Sequence, residues 1–341
     1  GEGRMRKIKS GILRISMLAF ICAMLLPGSA LAAESRMLVP GGSVIGIKVE
    51  SRGVMVAGIN EVQTPSGIKR PALEAGLRAG DIITRVGDAD IESVEDFRRE
   101  IGAWSGGALE LEAVRSGKNM TLSISPERDK SGGVEIGVWL RDGIAGLGTL
   151  TFYEPETGLF GALGHAVNDV DTGVLVPLRD GSVAHAEVSG VIAGERGKPG
   201  ELLGSFDPSA RVGSISRNTG FGIFGALDGG SGIAAGQALP VAAKAEIRIG
   251  PATVLAGVDG QTREYSVEIS RVYPGDNGGR DMLISVTDPE LLEKTGGIVQ
   301  GMSGSPILQD GRLVGAVTHV LVNDPASGYG IAIENMLEAA G

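Results

Sequence analysis

The sequence predicts a mainly β fold, with short strands joined by tight turns, and three observations carry that prediction. Glycine accounts for 56 of the 341 residues and aromatic residues for only 4%, a balance that suits strands and turns better than packed helices. From Val134 onward, short apolar runs recur between glycine-rich turns, about a dozen in roughly 200 residues, which is the texture of a sandwich or a pair of barrels. A chain of 341 residues leaves room for about two domains. Its hydrophobic share of 42% is ample for a core and excludes disorder of the whole.

The N-terminal stretch is set apart by its chemistry. Met5 to Lys9 is basic and Ile15 to Leu26 is apolar, followed by Pro27-Gly28-Ser29 and the small-x-small sequence Ala30-Leu31-Ala32. This is the layout of a secretory signal, so residues 1–33 are expected to act as a signal peptide or a signal anchor. The apolar run is about 12 residues, short of the roughly 20 that a bilayer span needs. Arg4, Arg6, Lys7, Lys9 and Arg14 against Glu2 leave residues 1–32 with a net charge of +4, so the remainder of this −10 chain carries −14. An acidic body argues against nucleic acid as a partner. The single cysteine, Cys22, lies in the apolar run. The body therefore has no disulfide, no thiol nucleophile and no cysteine-ligated metal, and no metal or cofactor is expected.

Residues 39–127 read as a first domain. Ser43-Val44-Ile45-Gly46-Ile47 opens it, Ser51-Arg52-Gly53 is a turn, and Val54-Met55-Val56 is a strand. Pro71 suits the first turn of a short helix and Gly76 its end. Asp81 opens a strand over Ile82 to Val86. Ser93 with Asp96 three residues on marks a helix start, and Val94, Phe97 and Ile101 recur at helical spacing. Leu109 to Val114 and Asn119 to Ile124 alternate as strands around Ser116-Gly117. Arg128 to Gly133 is a polar linker. Residues 134–341 form the second part, with strands expected at Val174 to Leu178, Ser182 to Ile192, Arg211 to Ser216, Val241 to Ile249 and Gly297 to Val299 among others. Short helices are expected from Asp288 to Lys294 and from Glu334 to Ala339.

One stretch carries chemistry: Gly296-Gly297-Ile298-Val299-Gln300-Gly301-Met302-Ser303-Gly304-Ser305-Pro306-Ile307. Glycines around a serine allow a sharp turn, and the amides of Gly301 and Ser303 can then hold an oxyanion. A Gly/Ser β-turn without chemistry gives the same local pattern. A serine hydroxyl is inert near neutral pH without a base, and the base needs a partner that holds its tautomer. Only three histidines exist, His165, His185 and His319. His165 follows a strand and precedes a polar turn. His185 sits in an alternating strand and reads as solvent-facing. His319 lies on the strand after the serine turn and competes as base. Asp288 stands 15 residues before Ser303 and is also a good helix-start residue before Pro289. Asp169, Asp171 and Asp281 are alternative orienting carboxylates.

Two resemblances sharpen this reading. Arg52-Gly53-Val54, Pro71-Ala72-Leu73-Glu74-Ala75-Gly76-Leu77 and Gly80-Asp81-Ile82-Ile83 resemble a bacterial PDZ domain of exported proteases. That implies Ile45, Gly46 and Ile47 as the loop receiving a peptide C-terminus, or a segment of the chain itself, with the peptide added as a strand. Residues from about 34 to the end resemble the stage IV sporulation protein B peptidase family. The carrying motifs are Val39-Pro40-Gly41-Gly42, Gly161-Ala162-Leu163-Gly164-His165, Asp288, the serine stretch, and Gly315-Ala316-Val317-Thr318-His319-Val320 through Ser327-Gly328-Tyr329-Gly330. The resemblance implies an N-terminal PDZ domain and a trypsin-like double β-barrel, with Ser303 as nucleophile, His165 as base and Asp288 as orienting acid. It also implies a role. The enzyme is exported into the space between the membranes around the forespore and cleaves a membrane-anchored regulator of an intramembrane metalloprotease, releasing sigma-K precursor processing. Two other readings stand beside it: a general exported quality-control protease, and a peptide-binding scaffold without catalysis.

Overall fold

Alternation along a strand sends every second side chain inward. In the segment Arg263–Val272, Tyr265, Val267 and Ile269 are buried while Glu264, Ser266 and Glu268 face solvent. Repeated around a ring of strands, that pattern fills a barrel and leaves no open edge. The computed structural model describes residues 36–233, 236–275 and 277–341. The N-terminal signal-like segment with Cys22 lies outside the described residues. No described helix is long and apolar enough to cross a membrane.

Two closed six-stranded barrels result. The first contains β1 (Val44–Ile59), β5 (Val138–Tyr153), β6 (Leu159–Ala162), β7 (Leu178–Ile192), β8 (Glu201–Thr219) and β9 (Gly222–Leu227). Pairing runs β1–β7–β8–β9–β6–β5 and closes from β5 back to β1. Ile45, Ile47, Val49, Phe160, Val183, Ile215 and Ile223 are among the side chains that fill it. The second barrel contains β10 (Gly250–Ala256), β11 (Arg263–Val272), β12 (Met282–Val286), β13 (Pro306–Gln309), β14 (Arg312–Leu321) and β15 (Asp324–Ala332), in the closed order β10–β11–β12–β15–β14–β13. The C-terminal helix Ile333–Ala340 contributes Ile333, Met336 and Ala340 to an apolar cluster that also takes Phe152 and Phe224 from the first barrel and Leu313, Ala316 and Ile331 from the second.

The PDZ module is an insertion within the first barrel. Strand β1 leaves that barrel after about Ser51, and its far half pairs with β2 (Ile82–Val86), which continues to β3 (Leu109–Arg115) and β4 (Lys118–Ile124). Helices α1 (Pro71–Glu74) and α2 (Val94–Gly102) cover this sheet, with Pro71 at the start of α1 and Ser93 capping α2 through the Asp96 amide. The chain returns to the barrel along β5, whose first residues, Val138 to Arg141, still pair with β1. The expected boundaries at 39–127 and 134–341 are thus corrected. Residues 37–50 belong to the first barrel, because β1 is one unbroken strand of 16 residues shared by both bodies. Residues 134–141 complete the PDZ module instead of beginning a separate domain.

Other segments also depart from expectation. The runs expected at Ser182 to Ile192 and Arg211 to Ser216 grow into the long hairpin of β7 and β8. Val174 to Leu178 holds an isolated bridge, Asn168 with Leu175, and only its last residue, Leu178, enters a strand, β7. Val241 to Ile249 contains a short 3-10 helix, Lys244–Glu246. Gly297 to Val299 is a loop, since left-handed Gly296 and Gly297 at φ 135° interrupt any strand.

The PDZ core of Val54, Val56, Ile83, Phe97, Ile101 and Leu111 surrounds one buried charge. The side chain of Asp81 is 1% exposed, and Arg115 holds it with Nε and Nη2, each at 2.7 Å. Removing one partner of such a pair strands a buried charge. Arg115→Ala is therefore expected to destabilise the PDZ module by about 3–5 kcal/mol, read as faster hydrogen exchange of its sheet amides. Unchanged exchange would contradict this account of the pair.

Candidate active site

Two left-handed residues in succession turn the chain out of β6: Leu163 at φ 71° and Gly164 at φ 70°. A left-handed leucine stores about 1–3 kcal/mol and persists only where its surroundings dictate it. Here they do, because Gly164 lies so close to β14 that an added Cβ would come within 2.9 Å of Thr318 Cγ2. The next residue, His165, emerges into a cavity of about 690 Å³ that is lined from the first barrel by Ile47 and Leu163 and from the second by Gly301, Ser303 and His319.

The serine turn follows α3 (Pro289–Thr295), which ends at the left-handed Gly296. Gly304 has φ 97°, and a Cβ there would meet the Thr149 carbonyl at 2.1 Å, so only glycine fits. The turn is bound to the first barrel at both ends of its tip. The Thr149 amide donates to the Ser303 carbonyl at 3.0 Å, and Thr149 Oγ1 donates to the Gly301 carbonyl at 2.7 Å. The amides of Gln300, Met302 and Gly304 are used inside the protein, on Gly200, Val299 and Val317. Those of Gly301 and Ser303 donate to no acceptor among the described residues, and both residues line the cavity. Two unengaged amides flanking a serine are what an oxyanion requires. The Ser303 hydroxyl itself donates to the Thr318 carbonyl at 2.7 Å.

The electrostatics favour neutral imidazoles. His165 Nδ1 lies 2.8 Å from the Ala166 carbonyl. A carbonyl only accepts, so Nδ1 carries the proton and Nε2 is left with its lone pair. Lost hydration lowers the His165 pKa below 6.5, against the Ala166 bond, which raises it. The His319 ring stands 5.0 Å from that of His165, tilted by 40°. His319 as a residue is exposed, but its ring sits in the cleft. Lost hydration, then His165 and Arg280, push its pKa down to about 4.

The structure brings Ser303, His165, His319 and Gly301 together and leaves Asp288 out. Asp288 caps α3: its Oδ1 accepts from the amides of Glu290 and Leu291, and its Oδ2 from the amide of Ser266. Asp288 does not line the cavity and makes no hydrogen bond to His165, so the expected orienting acid is not brought to the base in this arrangement. Asp169 and Asp171 bind Arg141, and Asp281 binds Lys244. His185 is exposed, as expected, with Nε2 against the Ser231 carbonyl.

The expected PDZ loop is corrected too. Ile45, Gly46 and Ile47 lie inside β1, paired on one edge with β5 and on the other with β7. No edge remains for a peptide, and a Cβ on Gly46 would meet the Phe206 ring at 2.1 Å. The PDZ module instead carries a cleft of about 480 Å³ between α2 and residues 134–140, lined by Phe97, Arg98, Ile101, Ile136, Val138 and Leu140. Ile136-Gly137-Val138, a second apolar-glycine-apolar triplet, lines this cleft. Its glycine is left-handed at φ 77°.

Residues 132–337 match the family model described as SpoIVB peptidase S55. A Lactococcus lactis protein, LL2128, whose name describes a zinc metalloprotease, is 34% identical over 103 residues, covering 28% of this chain and 24% of that one. The chain thus spans about a quarter of the length of the curated relative that it matches. Among solved structures, the PDZ domain of the SdrC-like protein of Listeria monocytogenes is 26% identical, covering 25% of this chain and 87% of that one at a TM-score of 0.20. The active form of the Rv3671c protease from M. tuberculosis is 16% identical, covering 57% and 72% at 0.32. The HtrA-type protease AlgW with a decapeptide is 14% identical, covering 89% and 64% at 0.34.

Two outcomes follow from this geometry. A base must be neutral to accept a proton, so the acid limb of Ser303 labelling by a fluorophosphonate is expected to have its midpoint below pH 6.5, the ordinary histidine value. A midpoint above 7 would reveal a carboxylate partner. Asp288→Asn retains a capping oxygen and is expected to keep the labelling rate within about tenfold, whereas loss of a true orienting carboxylate costs about 10⁴-fold.

Proposed function

The chain belongs to the SpoIVB peptidase S55 family, and from that premise we propose that it is a serine endopeptidase with Ser303 as nucleophile and His165 as general base. The observation that carries the reading is the meeting of both side chains in one cavity between the barrels, beside the unengaged amides of Gly301 and Ser303. In the resting arrangement the Ser303 hydroxyl points to the Thr318 carbonyl, and attack requires it to leave that carbonyl for the imidazole. Hydrogen bonds of this kind are commonly loose before substrate binds.

The chemistry then runs in two halves. Ser303 Oγ attacks the scissile carbonyl carbon as its proton passes to His165 Nε2. The Ala166 carbonyl accepts from Nδ1–H throughout and supports the imidazolium. The oxyanion is held by the two amides, a contribution of about 3–4 kcal/mol for each well-placed donor. Collapse expels the amine, which takes the proton from His165, and leaves an ester on Ser303. Water then repeats the sequence with His165 as base and releases the acid.

The PDZ cleft beside α2 suits an extended peptide. From Val138 to Arg141, β5 pairs with β1 on one edge, and added strands use such edges. The family supports a finer role: an exported enzyme acting between the membranes around the forespore, cleaving a membrane-anchored regulator of an intramembrane metalloprotease so that sigma-K precursor is processed. PDZ-guided self-cleavage belongs to the same reading.

Ser303→Ala is expected to remove peptidase activity by at least about 10⁴-fold while the protein stays folded, and fluorophosphonate labelling followed by peptide mapping should find Ser303. His165→Ala should be as damaging, and His319→Ala should leave much activity. Full cleavage by the Ser303 variant would remove this nucleophile. Greater damage from His319→Ala than from His165→Ala would exchange the base.

A further inference from the structure

The orientation of His165 rests on the Ala166 carbonyl, so whatever fixes Ala166 decides how well the base is aimed. Residues 167–176 form a small closed hairpin. Asn168 and Leu175 pair at its neck: the Asp169 amide donates to the Val174 carbonyl at 2.8 Å and the Val176 amide to the Val167 carbonyl at 3.1 Å. One side is tied to β8 by Asn218, which accepts from the Val167 amide and donates to the Val167 and Val176 carbonyls. The tip is organised by Asp169, whose side chain is 1% exposed. Its Oδ1 accepts from the amides of Asp171 and Thr172 and from Thr172 Oγ1, at 2.9–3.2 Å.

The other carboxylate oxygen of Asp169 accepts from Arg141 Nη1 at 2.8 Å, and Arg141 also pairs with Asp171. Arg141 stands on β5, the strand whose later residue Thr149 holds both carbonyls of the serine turn. One strand thus anchors the base loop at residue 141 and the nucleophile turn at residue 149. Lost hydration works against a charged Asp169, but the Thr172 amide, Arg141 and the Thr172 hydroxyl outweigh it and hold the carboxyl below its ordinary value. The carboxyl is therefore ionised near neutral pH.

We propose that Asp169 and Arg141 are positioning residues for the base. They hold the hairpin that places the Ala166 carbonyl against His165 Nδ1. The proposal rests on the reading of His165 as base. Asp169 carries its influence through backbone, which sets it apart from a carboxylate touching the ring.

The test uses the full chain, a fluorophosphonate as probe, and the labelling rate of Ser303 as a function of pH. Asp169→Asn and Arg141→Ala are expected to slow labelling about tenfold or more, with Arg141→Lys intermediate. The double variant should be no slower than the worse single one, because both act on one link. The Ala166 bond raises the His165 pKa, so a misplaced carbonyl should move the acid limb to lower pH. A merely structural defect would lower the melting temperature and leave that limb in place. His319 faces the His165 ring, Arg280 acts on His319, and Asp171 shares Arg141; all three are unchanged in these variants. Wild-type rates with an unshifted limb, alongside a dead His165→Ala, would overturn the positioning role and leave the base standing. Full labelling of His165→Ala would overturn the base itself. Should Asp169→Asn fail to fold, Arg141→Gln, at a side chain 38% exposed, decides alone: slowing with a shifted limb supports the proposal and a wild-type profile refutes it.

Discussion

A single threonine joins the two barrels where it matters most. Ser303 belongs to the second barrel, yet the carbonyls on either side of Met302 are tied to Thr149 of the first. Each peptide group in a turn has an N–H and a C=O on roughly opposite sides. The peptide groups held this way are Gly301–Met302 and Ser303–Gly304, whose own N–H groups donate to Val299 and Val317, so each is fixed at both ends and restrains how the turn that carries the Gly301 and Ser303 amides can rotate. The close approach is only possible because Gly304 has no Cβ. Thr149 is itself buried, 1% exposed, so these bonds form away from competing water, where losing one costs more than at a surface.

The base is arranged by different means from the nucleophile. A buried carboxylate would raise the basicity of His165 and stabilise its charged form. This structure supplies a backbone carbonyl in that place, and burial lowers the pKa instead. The ring is then neutral and correctly tautomerised before substrate arrives. Acidic conditions deplete this form less than they would a base of higher pKa. The neighbouring His319, also held neutral near pH 7, adds no charge that would oppose proton transfer. The carboxylates near the site serve its scaffold: Asp169 shapes the base loop and Asp288 starts the helix that feeds the serine turn.

Much of this was legible in the chain. Ser93 with Asp96, Pro71, and Asp288-Pro289 marked three helix starts because capping is local chemistry, and the glycine-rich serine turn could be read from its own residues. The double barrel was legible as texture, since alternation such as Tyr265-x-Val267-x-Ile269 shows in one dimension. What escaped was non-local. Ile45-Gly46-Ile47 and Ile136-Gly137-Val138 have the same pattern, and only pairing decides which has a free edge. Ser51-Arg52-Gly53, expected as a turn, lies inside the continuous β1 where it passes from barrel to PDZ module, so the punctuation did not mark the insertion. Asp288 was implied as the acid by family resemblance, and its oxygens accept from amides of its own neighbourhood. The role of Ala166 was invisible because a carbonyl has no sequence signature.

The central claim is that the serine turn, held by Thr149, presents the Gly301 and Ser303 amides to the reaction centre. A crystal structure of the Ser303 phosphonyl adduct tests it directly. The account predicts the phosphoryl oxygen at about 2.7–3.1 Å from both amides, with Thr149 still bonded to both carbonyls. An adduct whose oxygen turns to solvent, or a turn released from Thr149, would contradict it.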